Sequence, residues 1–152
     1  MATMFPISRA VRRRLTDSRA GSPPLVFAMV GTRITPEART QATILPCIIY
    51  SVSMEDSLAG LVGTLDSRMS EIEILVLAAT AAEASETYEA VQGDMKNWEG
   101  TAYSTGSGAT LETVVINHCI HKKSLTQYQP PATGETTGTF LYSSIYSVMF
   151  TK

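Results

Sequence analysis

The sequence predicts an α+β domain in two layers, with a mainly antiparallel sheet of about four main strands packed by helices on one side. Two segments have hydrophobic residues at helical spacing, and four have alternating or continuous apolar residues typical of strands. Their order is α, α, β, β, α, β, β, and runs of paired strands with helices to one side are typical of this class. We expect one domain over residues 1–152, with residues 1–4 as a flexible N-terminus.

Two helices are predicted before the first strand. The first covers residues 5–18, where apolar residues recur at helical spacing and the arginines lie mostly on the other side. Its apolar positions are Ile7, Ala10, Val11 and Leu15. A short second helix is predicted over residues 25–30, because Pro24 suits a helix start and Gly31 suits a helix end. A loop is expected from Thr32 to Leu45.

The next two strands are predicted at residues 47–54 and 71–79. In the first, Ile48, Tyr50, Val52 and Met54 share one face, and in the second Ile72, Ile74, Val76 and Ala78 do so. The segment 55–70 between them contains glycines and acids, so we interpret it as a long connection that can include extended hairpin arms.

A central helix is predicted to follow directly. Thr80 and Glu83 have the spacing of a capping box, in which the threonine oxygen accepts from the backbone N–H three residues later. The helix is expected to run from Ala81 to about Asn97, although Gly93 weakens it by roughly 1 kcal/mol relative to alanine. Its predicted buried stripe is Ala84, Tyr88, Val91, Met95 and Trp98.

Two more strands are predicted in the last third of the sequence. A flexible Gly/Ser/Thr loop is expected over residues 100–110, then a strand over 112–121 with Val114, Ile116, His118 and Ile120 on one face. Residues 122–137 are interpreted as a polar connection, and residues 138–150 as the closing strand with aromatic residues alternating along it.

Charge is segregated along the chain, although the net charge is only −2. Residues 1–43 hold seven arginines against two acids, whereas residues 54–100 hold ten acids against two basic residues. This asymmetry fits a nucleic-acid arm, two complementary surfaces that meet, or separate solvated faces of one monomer. The acidic balance disfavours a dedicated nucleic-acid binder, and no apolar run is long enough for a membrane span.

Few residue patterns indicate chemistry. Cys119 and His121 share a face of a strand and, with Cys47, could bind zinc, but no further ligand or CxxC pattern accompanies them. Glu71 and Glu73 project from the same face of a strand, where a solvated or pore-lining role is favoured over acid–base catalysis. The glycine-rich loop at Gly106 has no following Lys-Ser/Thr, so it is not a P-loop, and no G-x-S-x-G elbow occurs.

Two motifs carry a family resemblance. Val30-Gly31-Thr32-Arg33-Ile34, followed by a loop and Leu45-Pro46-Cys47-Ile48-Ile49-Tyr50, resembles the tail-completion or tail-terminator proteins of tailed bacteriophages and gene transfer agents. The likeness continues through the strand at 71–78, the helix with Ala81-Ala82-Glu83-Ala84, and the closing strand at 140–150, and so covers roughly residues 5–150. The loop at 100–110 and the segment around Pro130-Pro131 depart from the pattern.

The resemblance implies a structural virion protein and no enzyme. Such proteins assemble as a six-membered ring that caps the tail tube, stops its polymerisation and joins the tail to the head. The implied partners are other copies of the chain, the tail tube protein, the head–tail connector or neck protein, and genomic DNA that passes through the lumen without specific binding. No cofactor, metal or membrane is implied. The implied location is the tail or neck of the virion, after assembly in the host cytoplasm.

The charge pattern adds candidate residues, because a closed ring needs two different patches that meet. The predicted subunit interface joins Arg9, Arg12 and Arg13 to Glu83, Glu86 and Glu89 of a neighbour. The predicted lumen-facing acids are Glu71 and Glu73. The predicted contacts with the tube or connector are Asp56, Asp66, Arg68, Lys122, Lys123 and Tyr128. The alternatives are a head-completion or tail-tube subunit, a small metal-dependent enzyme using Cys47, Cys119 and His121, and a basic-arm nucleic-acid binder.

Overall fold

The fold is taken from a computed structural model of the chain. The structure describes residues 6–17, 24–36, 44–53, 56–60, 63–96, 98–100, 102–105, 112–131, 133–134 and 138–151, and of residues 6, 56–60, 63–67, 102–105 and 112 it describes the backbone alone. The predicted flexible N-terminus at 1–4 and most of the predicted loop at 100–110 therefore lie outside the described residues.

Three helices and seven strands make up the described part of the chain. The helices are α1 (Pro6–Thr16), α2 (Leu25–Val30) and α3 (Ala81–Met95). The strands are β1 (Ile34–Pro36), β2 (Cys47–Val52), β3 (Asp56–Gly60), β4 (Gly63–Ala78), β5 (Ala102–Thr105), β6 (Glu112–Gln129) and β7 (Thr139–Thr151).

The strands form one sheet in the order β1-β2-β4-β7-β6-β5, and β3 pairs with the end of β4 beyond β2. The β1–β2 pairing is parallel and the other pairings are antiparallel. The predicted two-layer α+β class is confirmed. The four predicted strands correspond to β2, β4, β6 and β7, and the predicted hairpin arms in the 55–70 connection are the paired β3 and the start of β4.

The core lies between the helices and one face of the sheet. It holds Ile7, Val11, Leu15, Val30, Ile48, Tyr50, Ile72, Ile74, Val76, Val91, Met95, Trp98, Ile116, Tyr146, Val148 and Phe150, all at most 2% exposed. Most of these residues come from the stripes and alternations that the sequence predicts. Their apolar surface is the main stabilising contribution, at roughly 25 cal/mol per Å² buried.

The predicted start of α3 is confirmed. Thr80 has extended backbone, and its side-chain oxygen accepts from the Glu83 N–H at 3.2 Å. The helix ends at Met95, and Asn97 lies outside the described residues. The predicted buried stripe holds except at Tyr88, which is half-buried because its ring packs edge-on against Tyr142 at the side of the core.

Two predictions for the last third are wrong. Residues 122–129 are the second half of β6, because they pair with β7 from Ile145 to Thr139 instead of forming a polar connection. The predicted face of Val114, Ile116, His118 and Ile120 is interrupted, because the pairing register shifts between Ile116 and His118. Such a β-bulge reverses the alternation that follows it, so His118 and Ile120 are exposed.

Two short strands also lie within predicted loops. β1 occupies part of the loop expected at 32–45, and β5 part of the loop expected at 100–110. Each has three or four residues and pairs at an edge of the sheet, so neither has a sequence period long enough to predict it.

Candidate functional site

The face of the sheet that points away from the helices, which we call the open face, carries exposed apolar side chains. Strand alternation places them there, since every second residue of β6 and β7 points away from the core. Their exposed fractions are 52% for Ile120, 66% for Leu125, 36% for Val115 and 37% for Met149. Half-buried Leu75, Leu141 and Ile145 continue the surface across β4 and β7. Exposed apolar side chains grouped on one face of a sheet are typical of a protein–protein contact.

The predicted lumen-facing acids lie on this open face. Glu71 and Glu73 are exposed on β4, opposite Ser147 and Ile145 of β7. Lys122 donates to Glu71 at 2.5 Å, and the Ser143 hydroxyl donates to Glu73 at 3.2 Å. The hydrogen bond from Lys122, followed by the charge of Lys122, lowers the pKa of Glu71. The structure therefore pairs one of the two carboxylates with a cation from β6.

The lowered pKa of Glu71 predicts a titration that depends on Lys122. Because the pKa is lower in the folded chain, the stabilisation by Glu71 is present above the ordinary pKa of 4.5 and is lost as the pH falls through the folded pKa. We expect an NMR titration to place the Glu71 midpoint below its ordinary value, and Lys122→Met to return it there. Lys123→Met is the matched control, since Lys123 contributes least to the shift. An ordinary Glu71 midpoint in the unmodified protein would contradict the ion pair.

A long free edge borders the same face. β5 pairs with β6 only from Glu112 to Val115, so beyond Ile116 the outer edge of β6 has no partner strand in the described part of the chain. One register shift lies between Ile116 and His118 and a second between His121 and Lys123, and Lys122 and Lys123 lie at the second shift. Bulges and lysines are features that limit uncontrolled pairing at a strand edge. The edge is therefore accessible, but it is protected against nonspecific aggregation.

The predicted basic and acidic helix surfaces are both in the helical layer. Arg9 and Arg13 are exposed, and Arg13 forms an i,i+4 ion pair with Asp17 at 3.1 Å. Arg12 differs, because its guanidinium donates to the Ile34 carbonyl at 2.7 Å and so holds β1 against α1. On α3, Glu86 and Glu89 are exposed, and Glu83 is half-buried in the first turn. Two of the three predicted arginines are thus on the surface, and the third has a structural contact.

The residues predicted to contact the tube or connector are not in one group. Asp56 and Asp66 lie on the β3–β4 hairpin, where the structure describes the backbone alone. Arg68 is half-buried on β4 beside Phe150 of β7. Lys122, Lys123 and Tyr128 lie on β6, and the Tyr128 ring packs on Phe140 with centroids 4.8 Å apart. The structure therefore separates these residues into a hairpin and a strand edge.

The suggested zinc ligands are not brought together. Cys47 lies on β2 opposite Leu77 of β4, on the face away from the helices, whereas Cys119 lies on β6, three strands away from β2, and packs against the core. The sheet therefore separates the two thiols. Burial raises the pKa of Cys119 to about 12, so this thiol is protonated at neutral pH. Within the described ranges, no group of three or more His, Cys, Asp and Glu side chains could hold a metal ion.

A small polar cluster lies beside Cys119. His121 Nε2 and Ser124 Oγ are 2.7 Å apart, and the same serine oxygen contacts the Tyr88 hydroxyl. The register shift after His121 brings the imidazole and the serine together on one face. This arrangement orients the His121 ring, which also lies 5.3 Å from the Tyr146 ring. Single-sequence patterns did not reveal it, because the contact depends on a bulge and on the packing of α3.

Asp94 is a further residue that the sequence did not single out. It is 3% exposed, and its two carboxylate oxygens accept from the backbone N–H groups of Leu25 and Val26 at 3.0 and 2.8 Å. Arg14 donates to the Asp94 carbonyl oxygen at 2.6 Å. Asp94 therefore connects all three helices and fixes the helical layer above the sheet.

Comparisons with known proteins identify a shared fold. No protein-family model and no curated protein matches the sequence. Among solved structures, a chain from the virion of a native gene transfer agent particle is similar, with a TM-score of 0.55 and 15% sequence identity. The match covers 93% of this chain and 92% of that chain. At this identity the likeness shows a common fold over nearly the whole length.

None of the helices in the described ranges is long and apolar enough to cross a membrane.

Proposed function

We propose that the chain is a structural virion protein that forms a ring at the head-proximal end of a phage-like tail tube. The ring ends tube polymerisation, joins the tail to the head or connector, and lets DNA pass. The observation that carries this proposal is the fold shared with a gene transfer agent virion chain along 93% of the sequence. The exposed apolar surface of the open face supports it, because such a surface suits an assembling protein better than an isolated one.

The two layers suggest how copies are arranged. We place the β4 part of the open face, with Glu71 and Glu73, toward the lumen, the β6 part of that face against the next copy, and the helices on the outside of the ring. The free edge of β6, with Ile120 and Leu125 beside it, then lies at the boundary with the next copy. This is a heterologous contact, which closes into a ring when the rotation between copies is right.

Charge complementarity in the outer layer supports the same side-by-side contact. Arg9 and Arg13 are exposed on one helix and Glu86 and Glu89 on another, so opposite charges are available to neighbouring copies. Exposed pairs contribute little affinity but help to set the register of an interface. Arg12 has a minor part in this contact because it already binds the Ile34 carbonyl.

The tube and connector contacts are assigned to the ends of the ring. The β3–β4 hairpin extends past the last pairing of β4 with β7 at Ser67, so its backbone projects from the sheet as an arm. We propose that this arm, with Asp56 and Asp66, contacts one end partner. Arg68 lies at its base, and Lys122, Lys123 and Tyr128 on β6 are the other proposed contacts.

The decisive experiment measures the mass of the purified chain by light scattering at low and high salt, followed by electron microscopy. A ring of about six copies that weakens in salt would support the proposal, whereas tubes that keep growing would indicate a tail-tube subunit. If the chain is a monomer alone, purified tail tubes are added. Failure to bind tube ends and to stop their elongation would overturn the proposal.

A further inference from the structure

A cleft of about 400 Å³ lies between the second half of α3 and the helix-facing side of the sheet. Gln92, Met95 and Lys96 line it from the helix, and Cys119, His121 and Tyr146 line it from the strands. It is separate from the open face, because these strand residues point toward the helices. Its size suits a small organic molecule or a short peptide side chain.

Two buried polar atoms of this lining make no direct hydrogen bond within the described part of the chain, and the Ser144 hydroxyl lies near the first of them. They are the Tyr146 hydroxyl oxygen and the Gln92 side-chain nitrogen. Tyr146 is 2% exposed, so bulk water has little access to its hydroxyl. Buried polar groups are nearly always hydrogen-bonded, so this pair is available to a ligand that enters the cleft. An amide nitrogen only donates, and a hydroxyl can donate as well.

The charges around the cleft are positive. Lys96 is exposed in the lining, and Arg14 contacts the Asp94 and Lys96 carbonyls at 2.6 and 3.4 Å. Among the described residues the lining contains no acid, because the Asp94 carboxylate faces the N–H groups of α2. Burial raises the pKa of Tyr146, so its hydroxyl keeps its proton at neutral pH and can donate. Hydrogen bonds from such donors to an anion are stronger than those to a neutral group.

We propose that this cleft binds a carboxylate carried on a short apolar stem. The carboxylate accepts from the Tyr146 hydroxyl and the Gln92 amide near the Lys96 ammonium, and the stem packs on Met95 and Cys119. This chemistry is shared by small aliphatic acids and by the C-terminal carboxylate of a peptide. The site goes beyond the ring proposal and does not depend on it, because every lining residue belongs to one copy of the chain.

The test titrates hexanoate into the full chain and follows the side-chain amide signals of glutamine by NMR. Tyr146→Phe removes a buried hydroxyl that makes no direct hydrogen bond in the described part of the chain, so we expect unchanged or higher thermal stability together with at least about tenfold weaker hexanoate binding. Tyr142→Phe is the matched control on the same strand, outside the cleft, and should bind hexanoate like the unmodified protein.

Two further probes make the result decisive. Hexylammonium, with the same stem and the opposite charge, should not bind. N-acetyl-Ala-Leu with a free carboxylate, compared with its amide, separates the two sources: tighter binding than hexanoate identifies a peptide terminus, and weaker binding a small acid. Equal binding of hexanoate and hexylammonium, no binding of either carboxylate, or unchanged hexanoate affinity in Tyr146→Phe would each overturn the site, whatever the oligomeric state.

Discussion

Replacing Asp94 by alanine is expected to destabilise the fold by about 3–5 kcal/mol. The carboxylate is 3% exposed and accepts from the backbone N–H groups of Leu25 and Val26. Both groups belong to the first turn of α2, which begins after Pro24 without a side-chain cap of its own. Because α2 has only six residues, it depends on this acceptor from α3 more than a longer helix would. Chemical denaturation, which gives the free energy of unfolding, is the measurement.

Two further variants, one intermediate and one control, show whether the loss of stability comes from the Asp94 carboxylate. Asp94→Asn keeps one acceptor oxygen but turns an N–H₂ group toward the second donor, so we expect an intermediate loss of about 1–3 kcal/mol. Glu89→Ala changes an exposed acid on the same helix and should stay within about 0.5 kcal/mol of the unmodified protein. An Asp94→Ala protein with the stability of the Glu89→Ala control would show that other groups satisfy the N–H donors of α2.

The start of α3 could be predicted from the sequence, whereas the long-range contacts of Asp94 in the same helix could not. The start of α3 was predictable because the Thr80–Glu83 contact is local, spanning three residues. The role of Asp94 was not, since its partners lie 68 and 69 residues away and an acid within a helix carries no pattern of its own. Local signals therefore placed the helices to within a few residues, and the contacts that join them needed the tertiary structure.

The strands likewise include some whose buried face could be predicted from the sequence and one, β6, whose buried face could not. The alternation of apolar residues predicted the buried faces of β2, β4 and β7, because the two sides of these strands differ in burial. The same pattern failed in β6 for two reasons. The register shift after Ile116 moved Ile120 to the open face. Residues 122–129 continue the strand although they are exposed on both sides, so they show no alternation in burial. The open face and the cleft at Tyr146 were not predictable for this reason, since both depend on that shifted register.

In the proposed ring, the contact between copies depends most on the apolar side chains of the open face along β6. Changing both Ile120 and Leu125 to glutamate is expected to convert the ring to single copies, or to abolish tube-end binding if the chain assembles only on tubes. Each apolar side chain buried at an interface contributes roughly 1.5–3 kcal/mol, and a carboxylate in its place must be desolvated. Both side chains are more than half exposed in the single copy, so the free energy of unfolding should change little.

Light scattering on the double variant measures the mass, and thermal unfolding confirms that the fold is intact. Leu25→Glu is the matched control, since Leu25 is 58% exposed on α2, in the helical layer away from the β6 edge, and this variant should still form rings. Lysine at both positions should act like glutamate, because loss of apolar contact and charge desolvation do not depend on sign. A double variant that keeps the mass of the unmodified protein would exclude the β6 edge from the interface and leave the outer helices, with Arg9, Arg13, Glu86 and Glu89, to close the ring.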